Sequence, residues 1–494
     1  MSYFTIAFNM IAGLIYTPWM IEQIGQSNYG LYTLATSLIT LFVVDFGMGA
    51  AVARFVSKYN AEGDQDKVNN FLGLVYKLYL AIDAVILLLV VIVGFFVGSI
   101  YENLSTAELD TFKILFFIVG LFSVISFPFT NLNGILTAYE QFVGLKLSDL
   151  FHKFFIIVAM VIALLLGYGV FALVIVNAVA GLLTIVIKLI IIKSKTTVKV
   201  NFKYRSKGLL KEIFGFSVWT TVGSLAQRLI FNITPSVIAA VSVAGAVGVA
   251  LVGLGQTIEG YVYTFSAALA GLFMPRISKL LHENKRDSEL IPLMIRVGRI
   301  QCIIIGLLVT GFIALGQSFI VDIWNRAEFA DSYLCAVFMI IPSFFYLPME
   351  IASTTLIVEN KVKLQAFVFI IMGLLNFGLS LILSKFFGAL GASISIFVAY
   401  MVRTLLMAVI YQKVLKLDMP RFVKETFVVF TPRLIVTMCI GLALEHFNPM
   451  PHNFIRFAVN AIVFVTIFFV LIFFKLNEYE KNLIFGKLNK LIKR

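Results

Sequence analysis

A chain of 494 residues that is 60% hydrophobic and only 13% charged is not an ordinary soluble protein, in which charged residues run near 25%. Its formal charge of +13 does not point to nucleic acid, because the cations cluster beside long apolar segments, where the positive-inside rule and anionic lipid account for them. Continuous apolar runs such as 84–97 exclude alternating barrel strands and leave membrane-spanning helices of about 20 residues each.

In chain order the apolar windows predict fourteen helices: 3–22, 30–57, 71–99, 110–138, 146–167, 170–193, 213–242, 246–279, 293–322, 332–358, 363–386, 389–413, 425–446 and 454–474. The first window begins at Met1 without a basic leader and reads as a span, not a cleaved signal. Every second gap, with its flanks, holds 32 of the 39 Lys and Arg. That imbalance places both termini in the cytoplasm. The tail from Lys475 alternates leucines with lysines and reads as an interfacial amphipathic helix. Cys302, Cys335 and Cys439 lie in apolar stretches without metal spacing and read as buried thiols. His446 and His452 flank an outer loop and predict no metal site.

The chain also repeats itself at an offset of about 220 residues. Arg54-Phe-Val-Ser-Lys58 matches Arg276-Ile-Ser-Lys279 at the ends of helices two and eight. Pro128 with Tyr139-Glu140 matches Pro348 with Val358-Glu359 in helices four and ten. Gly167-Tyr-Gly169 matches Gly388-Ala-Leu-Gly391. An offset that skips six helices preserves orientation, so the repeats are parallel. The expected plan is an all-α, two-lobed membrane protein: a six-helix lobe over 1–193, a basic cytoplasmic linker over 194–212 and a second six-helix lobe over 213–414. Accessory helices thirteen and fourteen follow over 415–474, then the basic tail over 475–494.

Several segments resemble the Wzx-type polysaccharide flippases of the multidrug/oligosaccharidyl-lipid/polysaccharide exporter superfamily. The resemblance rests on Gly25-Gln-Ser-Asn-Tyr29-Gly30-Leu-Tyr, Asp45-Phe-Gly47-Met-Gly49, Arg54-Phe-Val-Ser-Lys-Tyr59 and the Glu62-Gly63-Asp64 turn. Asn133-Gly134 and Pro275-Arg276-Ile-Ser278 complete it. It implies transport of an undecaprenyl-diphosphate-linked glycan across the bacterial inner (plasma) membrane by alternating access, for surface polysaccharide biosynthesis. Polysaccharide-assembly proteins are the partners it implies; nucleic acid is not among them. The residues themselves point to a two-lobed transporter with a polar seam.

Arg228, Arg403 and Arg433 break the charge pattern inside helices seven, twelve and thirteen. Lys113, Arg326, Lys385 and Arg456 sit near outer ends, where snorkelling accounts for them. Arg228, about fifteen residues into helix seven, is a candidate bidentate ligand for a diphosphate or one half of an ion pair with Asp45 or Glu259. Asp45 and Glu259 are mid-span carboxylates, hence candidates for ion coupling or for pairing. Asp83 reads as a helix–helix hydrogen-bonding residue. Arg54 and Arg276, equivalent in the repeat, are candidates for catching the diphosphate at the cytoplasmic mouth.

No catalytic residues, cofactor or metal are predicted. Gly253-Leu-Gly255 lacks the remaining glycine and the lysine of a nucleotide loop, so energy must come from an ion gradient, the membrane potential or downstream consumption. Two other readings stay open: a cation-coupled drug or metabolite exporter of the same superfamily, and a membrane-embedded polysaccharide polymerase or acyltransferase. The short outer loops weigh against the latter, leaving a non-enzyme.

Overall fold

A computed structural model describes residues 13, 15–43, 48–270, 273–283, 285–324 and 327–481, and among these the chain is helical with no strand. In chain order the helices are α1 (15–24), α2 (Gln26–Phe42), α3 (Met48–Ala61), α4 (Gln65–Ile100), α5 (Thr106–Ser126), α6 (Leu132–Ala138), α7 (Phe142–Leu165) and α8 (Gly169–Lys195). Next come α9 (Lys207–Phe231), α10 (Ile233–Val241), α11 (Gly245–Ala270), α12 (Met274–His282), α13 (Ile291–Ser318), α14 (Ser332–Tyr346) and α15 (Glu350–Val358). The last are α16 (Val362–Lys413), α17 (Met419–Glu425), α18 (Phe427–Phe447) and α19 (Phe454–Phe473). Ten stretches among the described residues are long and apolar enough to cross a membrane. One of them, α16, covers two of the expected helices, since it kinks at Gly388 with φ 55°, a conformation that favours glycine. The expected first helix lies largely outside the described residues, as do residues 44–47 of the expected helix two and 271–272 of helix eight.

The internal repeat is written in the backbone. After α5, Pro128 sits in a 3₁₀ turn, Phe127–Phe129, followed by the short α6 and then Glu140 at φ 54°. After α14, Pro348 sits in a 3₁₀ turn, Leu347–Met349, followed by the short α15 and then Asn360 at φ 57°. Proline withdraws an N–H from the ladder and kinks the helix. The left-handed residue then terminates it.

Two compact units emerge. One comprises Met20–Ala250 with Asn376–Gly388; the other comprises Met1–Trp19, Leu251–Leu375 and Ala389–Arg494. Residues 213–250, expected to open the second lobe, group with the first unit for identifiable reasons. Asn376 Nδ2 donates to Ile230 O and Thr234 Oγ1, both at 3.2 Å. Tyr101 and Ser236 share a 2.7 Å hydroxyl contact, and Asn103 Nδ2 donates to Ala240 O at 2.6 Å. The linker has no helix over 196–201 and lies against α4, where Asn201 N donates to Asn69 O and Lys77 Nζ to Tyr204 O.

Gly30 of the sequence motif has a packing reason. A Cβ there would land on the Ala246 carbonyl, so only glycine lets α2 approach α11 this closely. Gly30→Ala is expected to destabilise the protein by about 1–3 kcal/mol, the usual cost of overpacking, read as an earlier heat-induced loss of monodisperse protein in detergent. An unchanged midpoint would show that this approach is not tight. At the Glu62-Gly63-Asp64 turn, Asp64 caps α4 by accepting from the Lys67 backbone N–H and pairing with its ammonium at 3.0 Å. These contacts hold the Asp64 carboxyl below its ordinary range.

In the other unit α13 is the central helix, packed by α14, α18 and α19. Its glycines admit neighbours: Gly306 faces Leu434, and Gly311 faces Phe464.

Candidate functional site

The unit containing α2 and α9 places Arg228 where a helix runs out. The last carbonyls of a helix have no partner within it, and α2 ends at Phe42 without a glycine cap. Arg228 Nη1 donates to Thr40 O at 2.7 Å and to Val43 O. A cation at that end also suits the helix dipole. Arg228 is half-buried and lines a cavity of about 340 Å³ whose other polar lining residues are Tyr32, Thr36, Thr40, Ser123 and Asn177. Ile39, Val43, Val119, Phe122 and Val174 complete the lining. The Asn177 amide donates to Leu173 O at 2.6 Å, and Thr36 Oγ1 donates to Tyr32 O and Thr33 O. A guanidinium beside hydroxyl and amide groups suits a phosphate or sugar ligand. Asp45, the carboxylate expected to face Arg228, lies outside the described residues.

Glu259 belongs to the other unit and has its own surroundings there. It is buried, and Tyr346 Oη donates to its Oε1 at 3.3 Å. Arg403 is nearby in the same cluster. It is 9% exposed and lies over the rings of Tyr346, Phe369 and Tyr400 at 4.5, 5.0 and 5.8 Å. Its Nε and Nη1 make no hydrogen bond among the described residues. Glu350, which opens α15 after the Pro348 turn, feels the same guanidinium. The arrangement is an aromatic cage around a buried cation, with Glu350 within reach of its charge and Glu259 bonded to one ring of the cage, Tyr346. Sequence reasoning marked Glu259 and Arg403 singly and missed Glu350. The signal available was a carboxylate two residues past an intramembrane proline, at a break in the helix.

Arg54 near the end of α3 and Arg276 in α12 are both exposed. Other cations depart from the sequence reading. Arg456 does not snorkel: it is 5% exposed, donates to Met450 O at 3.2 Å and to Glu445 O, and pairs with the Glu445 carboxylate at 3.5 Å. The partner lies across the α18–α19 turn, which spacing along the chain does not reveal. Lys188, counted among the orienting cations, is 8% exposed, pairs with Asp149 at 3.1 Å and donates to Asn133 at 2.9 Å. Arg433 donates to Val429 O of its own helix at 2.6 Å. Lys113 sits 3.7 Å from Asp110, Lys385 is exposed, and Arg326 lies outside the described residues. Cys302 and Cys335 are buried as expected, whereas Cys439 is exposed.

Comparisons with known proteins bear on this geometry. The family model for "polysaccharide biosynthesis protein" matches residues 3–281. An uncharacterized membrane protein of Methanocaldococcus jannaschii is 25% identical over 377 residues, covering 74% of this chain and 84% of its own. Among solved structures, the lipid II flippase MurJ in an inward closed conformation aligns with a TM-score of 0.66 at 15% identity, over 98% of this chain and 99% of that one. An inward-facing multidrug resistance MATE family transporter of the MOP superfamily aligns at 0.65 and 15% identity, over 83% and 98%. A MOP superfamily transporter from Pyrococcus furiosus, whose binding pocket is described as having reversed polarity, aligns at 0.57 and 14% identity, over 83% and 93%. At these identities the structural matches establish the fold. The chain is a multi-pass membrane protein with the MOP superfamily fold, and it belongs to the polysaccharide biosynthesis protein family.

Proposed function

We propose that this protein is a flippase that moves a polyprenyl-diphosphate-linked oligosaccharide, with undecaprenyl as the lipid, across the bacterial plasma membrane by alternating access. The observation that carries the reading is Arg228, a guanidinium on a hydroxyl- and amide-lined cavity inside apolar spans. An Arg in the bilayer interior costs at least about 2.5–3.5 kcal/mol on insertion scales, and a diphosphate is a ligand that rewards that cost with charged, bidentate hydrogen bonds. The family supports a substrate on a polysaccharide pathway.

In this reading the six-plus-six-plus-two division is functional. Exposed Arg54 and Arg276 catch the diphosphate on the cytoplasmic side, with both termini cytoplasmic. Arg228 then receives it, and the polyprenyl tail stays in lipid. Asp45 and Glu259 are the candidates for coupling movement to an ion.

The buried Glu259 and Glu350 also favour a second reading, a cation-coupled drug or metabolite exporter. Cells lacking the protein separate the two. The flippase reading expects lipid-linked oligosaccharide to accumulate where a non-permeant glycosidase added outside does not reach it, with re-expression restoring cleavage. Unchanged oligosaccharide together with new drug sensitivity that depends on Glu259 would replace it with the exporter.

A further inference from the structure

Three spanning helices share one end level. α13 begins at Ile291, α18 begins at Phe427 and α19 ends at Phe473. A pocket of about 520 Å³ opens at that level, and Arg296, Arg299, Arg421 and Lys475 all line it. These four cations exceed by one the carboxylates beside them: Glu425 in the lining, Glu480 against Arg299 and Asp418, whose charge acts on Arg421.

The four cations divide by role. Arg299 is committed to structure: it grips both Glu480 carboxylate oxygens, donates to Glu425 O at 2.8 Å and Lys475 O at 2.9 Å, and lies over Phe430. It thereby pins the segment that presents Lys475. Arg421 is bridged to Glu425 at 2.8 Å. Arg296 lies over the Tyr479 ring at 4.7 Å and has no carboxylate partner among the described residues; Lys475 has none either. Directly beside these cations the surface turns apolar, with Phe474 75% and Val428 59% exposed. Paired cations above exposed hydrocarbon at a membrane end match an amphipathic anion, not a soluble one.

We propose that this pocket binds the phosphodiester headgroup of an anionic glycerophospholipid, with Arg296 and Lys475 on the phosphate and the acyl chains running along the Phe474 side. The site lies in the unit that does not contain Arg228, and it stands whatever the transported substrate is.

The test uses the delipidated full-length protein in neutral detergent. The probes are dioleoylphosphatidylglycerol, dioleoylphosphatidylcholine and inorganic phosphate, read by native mass spectrometry and by heat-stability titration. The phosphatidylglycerol is expected to saturate, with phosphatidylcholine and free phosphate far weaker. Arg296→Gln and Lys475→Gln are each expected to weaken it about fivefold, and the pair about 25-fold, at roughly 1 kcal/mol per basic residue near a membrane surface. Arg296→Lys and Lys475→Arg keep the charge and should retain binding, which separates loss of the site from loss of the fold. Lys385→Gln, an exposed cation elsewhere, should leave it unchanged. Equal binding of the two lipids, equal competition by inorganic phosphate, or an equal loss in Lys385→Gln would overturn the proposal.

Discussion

Replacing Arg228 by alanine is expected to cut transport by about two orders of magnitude while leaving most of the protein folded. Truncating one partner of a buried charged hydrogen-bond pair costs about 2–5 kcal/mol, and each 1.4 kcal/mol is a factor of ten. The structural cost is smaller. The two carbonyls that Arg228 serves, Thr40 O and Val43 O, sit at the rim of a cavity that Thr40 and Val43 also line, so water can take over from the guanidinium there. That leaves a stability loss of about 1 kcal/mol, near the net value of an ordinary hydrogen bond. Lysine can cap the carbonyls as a point charge but cannot offer a fork to a diphosphate, so Arg228→Lys should fall between the two, about tenfold down. Transport per folded molecule, measured for all three side chains in one membrane preparation, checks this. Equal rates for Arg, Lys and Ala would reduce Arg228 to a helix cap.

Arg403→Leu is expected to produce the largest loss of stability among single substitutions in its unit. Removing one member of a buried charged group costs about 3–5 kcal/mol, because the charges left behind lose their compensation. Here those charges are Glu259, held by Tyr346, and Glu350. Three aromatic rings also lose their cation, worth about 0.5–2 kcal/mol each at most. Adding Glu259→Gln to Arg403→Leu should return part of the loss, since neighbours in one network do not add. A double-mutant cycle on heat inactivation in detergent measures the coupling. Strictly additive losses would show that Glu259 and Arg403 act independently.

The sequence made the membrane class, the repeat and the positions of the helix breaks legible because each has a local cause. Apolar length marks the spans, Pro128 and Pro348 interrupt α5 and α14, and the glycines at 167, 169 and 388 carry positive φ. The site was legible only as isolated residues. Arg228 stood out as an intramembrane cation, yet its partners are backbone carbonyls at the end of α2, which no side-chain pattern announces. Arg403 was also visible as an intramembrane cation, but its cage is assembled from Tyr346 of α14, Tyr400 beside it and Phe369 from beyond the Gly388 kink of its own helix. Glu350 was missed because the cation it feels, Arg403, lies on another helix. Arg456 and Lys188 were read as lipid-facing or orienting because charge near a span end usually is. Glu445 and Asp149 reverse that, and both pairings cross between helices.

The most direct test of the flippase account is reconstitution. Purified protein in liposomes containing a fluorescent undecaprenyl-diphosphate oligosaccharide is assayed by a non-permeant glycosidase added outside. The account predicts that, with the protein present, cleavage proceeds past the outer-leaflet half and approaches completion, and that Arg228→Ala liposomes stop near half over the same period. Cleavage that halts at the outer-leaflet fraction with the native protein, in liposomes holding an ion gradient and in those without, would contradict it.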